Sequence, residues 1–130
     1  MYEAVTRGIA VRVQPQFLPA ESSAEQSRYF WAYTVEIENR SDETVQLQTR
    51  FWRITDGLGR VETVRGAGVV GESPVIRPGD SYTYTSGCPL STPSGIMAGR
   101  YGMVATNGEV FDVDIPAFSL DSPAAPRTLN

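Results

Sequence analysis

From Tyr29 to Asn39 the chain reads YFWAYTVEIEN, with Tyr29, Trp31, Tyr33, Val35 and Ile37 on one parity and Thr34, Glu36 and Glu38 on the other. A repeat of two residues sends alternate side chains to opposite faces of a strand, so this segment predicts a central strand with one face on a core. The same period recurs, less regularly, along the chain. Ile9, Val11 and Val13 share a face ahead of QPQFLPAESSAEQS, 14–27. The prolines and polar residues of that stretch predict a long connection, in which Ser22 and Glu25 have capping-box spacing for one helical turn. Past the turn residues Asn39–Asp42, Val45, Leu47 and Phe51 keep one parity while Trp52 and Ile54 take the other. Such a switch predicts a bulge near Phe51, or a strand end covered on both faces.

Downstream, Asp56-Gly57-Leu58-Gly59 predicts a turn, RVETV a short strand, RPGD at 77–80 another turn, SYTYTSG a further strand and CPLSTPSG a proline-bearing loop. Asn107-Gly108 carries the strongest hairpin signal and is expected as a two-residue type I′ turn, with positive φ at both positions. It joins IMAGRYGMVA to EVFDVDIP, where Phe111, Val113 and Ile115 alternate with Asp112 and Asp114. About eight short strands and no helical period predict an all-β fold: an immunoglobulin or fibronectin type III-like antiparallel β-sandwich of about seven to eight strands, with a small barrel as the alternative. A single domain is expected over 1–120, and DSPAAPRTLN predicts a disordered tail at 121–130.

Composition removes whole chemistries. The 130 residues include no histidine and no lysine. There is thus no imidazole base, no Ser-His or Cys-His pair, no P-loop or Schiff-base lysine, and the expectation is a non-enzyme without cofactor or metal. No apolar run nears the ~20 residues of a membrane span, and the N-terminus does not read as a signal peptide, so no membrane insertion is expected. The lone Cys88 excludes an intramolecular disulfide and suits the reducing cytoplasm. The net charge of −4, from 15 acidic and 11 basic residues interspersed along the chain, gives no footprint for nucleic acid.

One stretch imitates a nucleotide site. RGAGVVG, 65–71, sets Gly66, Gly68 and Gly71 in the G-x-G-x-x-G spacing. A dinucleotide loop must open a helix whose N-terminus holds the pyrophosphate, and Pro74, Pro78 and the β-branched residues between them deny this loop a helix. Three readings remain in order: glycines required by a tight backbone, a surface for a partner protein, and a nest for a small anion such as a nucleotide or pyrophosphate with Arg65 as counter-charge. Phe30 and Trp52 fall off the phase of their strands, and if exposed would offer aromatic contacts to a partner. Arg65, Gly66, Gly68, Gly71 and Trp52 are therefore the candidate ligand- or partner-binding residues. The carboxylate pairs Asp112/Asp114 and Glu36/Glu38 have the i, i+2 spacing of a weak Mg²⁺ or Co²⁺ site, but read first as solvated strand faces. Cys88 reads as a small buried residue.

RGAGVVGESP, PGDSYTYTSGCPLSTPSG and IPAFSL, set in order along the chain, resemble the ApaG proteins of bacteria from about Val5 to Leu120. The resemblance implies a fibronectin III-like sandwich and a protein-interaction role, since related domains occur in some F-box proteins and in a polymerase-delta-interacting protein. It also implies a genetic link to cobalt tolerance and magnesium efflux, and proximity to a diadenosine tetraphosphate hydrolase gene. Where that family commonly has R-H-W, this chain has Arg50-Phe51-Trp52. A role that rests on that imidazole does not transfer.

Overall fold

A computed structural model describes residues 1–123. Nine strands follow one another: β1 (Tyr2–Thr6), β2 (Ile9–Phe17), β3 (Tyr29–Asn39), β4 (Val45–Asp56), β5 (Val61–Ala67), β6 (Val75–Ile76), β7 (Ser81–Leu90), β8 (Ser94–Ala105) and β9 (Val110–Asp121). They form two antiparallel sheets, β1-β2-β3-β7 and β5-β4-β8-β9, with β6 pairing the start of β4. β2, β3 and β7 take the places of strands A, B and E of an immunoglobulin-type sandwich, and β5, β4, β8 and β9 those of C′, C, F and G. The expected β-sandwich is the observed fold. The tail expectation at 121–130 meets β9 as far as Asp121, a buried Ser122 and an exposed Pro123, and 124–130 lies outside the described residues.

The core sits between the sheets and follows the alternation of the strands. β3 alternates buried and half-buried positions along its whole length. Trp31, Tyr101, Phe118, Ile37, Leu47 and Leu120 are among the largest fully buried side chains. Each such aliphatic group contributes on the order of 1.5–3 kcal/mol relative to exposure. Asn39 is fully buried yet satisfied: its Nδ2 donates to the carbonyls of Glu43 and Ile76, and its Oδ1 accepts from the Ser41 N–H and hydroxyl. This closes the β3–β4 turn and fastens β6 to it.

Four local expectations are corrected. The bulge in β4 lies between Leu47 and Thr49, at Gln48, and not near Phe51. Phase inverts there, so Phe51 projects outward and Trp52 inward. The stretch 14–27 is less of a connection than its prolines suggested, because β2 continues through Pro15 to Phe17 and a single 3-10 turn occupies Pro19–Glu21. Ser22 does not cap a helix; it follows that turn, donating to the Leu18 carbonyl and accepting from the Phe30 N–H. At Asn107-Gly108 only Gly108 has positive φ, and the Gly108 N–H bonds the Ala105 carbonyl while Ala105 and Glu109 stay paired. That is a three-residue loop ending in a glycine bulge, not a type I′ turn. Paired positive φ values occur instead at Arg7-Gly8, between β1 and β2, and at Val70-Gly71.

The sandwich has two different sides. On one, β1 lies against β9: the Asp114 N–H donates to Thr6 Oγ1 and the Ser119 N–H to Tyr2 Oη, and Arg7 and Glu109 form a two-armed ion pair. On the other, between β5 and β7, the sheets part over a cleft of about 280 Å³ lined by Tyr33, Trp52, Glu62, Val64, Cys88 and Met97.

Candidate functional site

The five residues singled out by sequence do not converge on one point. Arg65 and Gly66 lie near the end of edge strand β5. Gly68 and Gly71 belong to the turn that follows, closed by reciprocal hydrogen bonds between Val69 and Glu72. Trp52 is 3% exposed and packs edge-on against Tyr33 and Phe118 inside the sandwich. The exposure of Trp52 that the sequence left open is thus ruled out by the phase inversion at Gln48, and Trp52 is not available to a partner. Phe30 is half-buried on the outer face of its sheet, where its ring fills the space above Gly87.

Each glycine of the motif has a local reason. Arg50, opposite Gly66 in the β4–β5 register, lays its guanidinium where a Gly66 Cβ would stand, and its Nη1 donates to the carbonyls of Ala67 and Gly68 at 2.9 Å each. A Cβ on Gly68, at φ +62, would stand 2.2 Å from the Glu72 carbonyl oxygen. Gly71, at φ +81, completes the turn with Val70 at φ +43. No helix follows: the chain passes from this turn into β6.

On the outer face of β5-β4-β8-β9, however, the register assembles a feature the sequence did not announce. Phe51 stands between Arg65 on β5 and Arg100 on β8, its direct cross-strand neighbours. Both guanidiniums stack on its ring, with Cζ 4.5 Å (Arg65) and 4.2 Å (Arg100) from the centroid. The row continues to Asp114 on β9, and the Arg100 Nε lies 3.7 Å from Asp112. The adjacent row is low: Ala67, Thr49 and Gly102 lie side by side, then Asp112. A tall row beside a low one makes a trough of about 500 Å³ lined by Thr49, Phe51, Arg65, Gly66, Arg100 and Gly102. Arg65 belongs here; Phe51 and Arg100 were missed because they are 49 positions apart in the chain and only the bulge turns Phe51 outward.

Across the core, Tyr84 on β7 and Tyr101 on β8 hydrogen-bond to each other through their hydroxyls. Burial raises the pKa of both phenols, and that of Tyr33. Burial, then the nearby Glu62 carboxylate, pushes the Cys88 thiol up to about 11, so it stays protonated at neutral pH. Glu36 and Glu38 are gripped by Arg12, whose Nε and Nη2 reach them at 3.0 Å each. Among the described residues no group of three or more Asp, Glu, His or Cys is placed to hold a metal ion, and no helix is long and apolar enough to cross a membrane.

Two sheets in this strand order, one flank capped and the other open, and an arginine–aromatic row on an outer face define a β-sandwich module of the immunoglobulin-like class. The ApaG domain model matches residues 19–105, and the chain belongs to the ApaG family. It is 61% identical to Protein ApaG of Mesorhizobium japonicum and 60% to that of Rhodopseudomonas palustris, with the whole of each chain covered. A crystal structure described as that of an ApaA protein from Bordetella pertussis matches with a TM-score of 0.87 at 46% identity, over 90% of this chain and 95% of that one. The resemblance carried by RGAGVVGESP and its companion segments is thereby borne out.

Proposed function

We propose that this chain is a non-enzymatic binding module that recruits a protein partner through the outer face of β5-β4-β8-β9. The observation that carries the reading is the Arg65–Phe51–Arg100 row. Arginine and aromatic residues dominate the energetics of protein interfaces, because both cover apolar area while presenting directional donors. Among the described residues Arg65 has no carboxylate within 4 Å, so its charge is open to a partner. The cobalt and magnesium phenotypes associated with the family then belong downstream of that partner, not to a metal held by this chain.

The test is affinity capture with the wild-type chain and Arg65→Glu in parallel, with circular dichroism confirming equal melting. Arg65 is exposed, so the reversal leaves the fold intact. Proteins retained by the wild type and reduced at least tenfold by Arg65→Glu are expected; identical capture profiles would sink the reading. A second reading, a carrier of a small anion such as pyrophosphate or a nucleotide, draws on the trough itself, whose volume of about 500 Å³ falls within the ~300–1,000 Å³ of small-molecule sites. Titration of isotopically labelled protein with pyrophosphate or ATP would then shift the amides of Thr49, Gly66 and Gly102. A silent spectrum leaves the protein-binding reading alone.

A further inference from the structure

Resting on the module reading above, we infer that the partner presents an extended acidic segment whose carboxylates at i and i+2 engage Arg65 and Arg100, its backbone crossing Phe51. Both guanidiniums lie within 4.5 Å of one ring centroid, so they are at most about 9 Å apart, a span that includes the ~7 Å between same-face side chains i and i+2 of an extended chain. They flank an apolar ring, one from each of the strands on either side of β4. The low row of Ala67, Thr49 and Gly102 alongside gives that segment room to lie against the sheet.

The chain is acidic overall, at −4, and its ion pairs engage Glu3, Glu36, Glu38, Asp56, Asp80 and Glu109 on arginines elsewhere. In a protein with carboxylates in excess, among the described residues Arg65 has none within 4 Å, and within that distance Arg100 has the one long contact to Asp112. The molecule already contains a related pairing: a single arginine, Arg12 on β2, takes both i, i+2 carboxylates Glu36 and Glu38 of the neighbouring strand. Arg65 and Arg100 offer the same chemistry outward, with a planar fork that matches carboxylate oxygens.

The experiment is selection from a random twelve-residue peptide library displayed on phage, with wild-type protein as bait. Enriched peptides measured by fluorescence polarisation are expected to carry two acidic residues at i, i+2. Their binding should weaken at least tenfold on Arg65→Ala and on Arg100→Ala, fall with added salt, and strengthen on Asp112→Asn, which removes the competing carboxylate. Enriched peptides without the acidic pair, or indifferent to both arginine variants, would overturn the inference and leave the module reading standing. So would an empty selection alongside Arg65-dependent capture of a partner. If capture is also independent of Arg65, both fall together. Melting curves of each variant exclude misfolding as the cause, and Arg65→Lys, which keeps the charge without the fork, should bind between wild type and Arg65→Ala.

Discussion

Val70 occupies a backbone conformation that β-branched residues avoid, at φ +43, and is 54% exposed at the tip of the turn between β5 and β6. A two-residue turn with both φ values positive favours Asn-Gly, so Val70→Asn should raise stability by about 1 kcal/mol, seen as a higher urea midpoint at unchanged slope. Gly68→Ala should act oppositely and lose roughly 1–3 kcal/mol, because its Cβ meets a backbone carbonyl that cannot swing away. These two substitutions separate what the glycine spacing conveyed from what it concealed. That Pro74 and Pro78 exclude a helix was legible. That Gly66 makes room for Arg50 was not, since their pairing depends on the β4–β5 register, which no local pattern states.

Between elements, the two sheets are joined through the core by the hydroxyls of Tyr84 and Tyr101. Removing one partner strands the other without water, so Tyr101→Phe should cost roughly 1–3 kcal/mol. The double change Tyr84→Phe with Tyr101→Phe should cost less than the sum of the singles, since it leaves no orphaned hydroxyl. Denaturant melts of the four proteins provide the cycle, and strict additivity would show that the bond contributes nothing. Strand β3 was legible because one of its faces is buried along its whole length. Strand β4 was misread because the bulge sits at Gln48 while the first apolar residue of the new phase, Trp52, comes four residues later. The intervening Thr49 and Arg50 carry no hydropathy signal, so Phe51 was assigned to the wrong face. β1 went unread for a related reason: YEAVT places only half-buried residues against the sandwich.

At the scale of the molecule, stability should fall at both ends of the pH range. Hydrogen bonds from Arg12 and Arg40 hold the Glu38 carboxyl below its usual range, and those from Arg7 do so for Glu109. Their contribution is present above the unfolded carboxylate value of ~4.3 and is lost as pH drops through the lower folded values. Cys88, at about 11, and the buried phenols behave in reverse. Their folded values exceed the unfolded ones, so stability is intact below ~8.5 for the thiol and ~10 for the phenols and is lost as pH climbs toward the folded values. Melting temperatures measured from pH 8 upward should therefore decline, and Cys88→Ala should flatten the first part of that decline. A parallel slope in Cys88→Ala would contradict the burial effect on the thiol.

The unequal flanks bias where a further strand can add. Where β9 faces β1, the Asp114 and Ser119 N–H groups are taken up by hydroxyls of Thr6 and Tyr2, while the β5 and β7 edges have no such cover. Unprotected strand edges are where sheets recruit further strands, and a fibre needs growth at two opposed ends. Among the described residues the two less guarded edges, β5 and β7, lie on the same flank. Strand addition is thereby directed to that flank, where an incoming chain meets two neighbouring edges, β5 and β7, and away from the side where β1 and β9 hold each other.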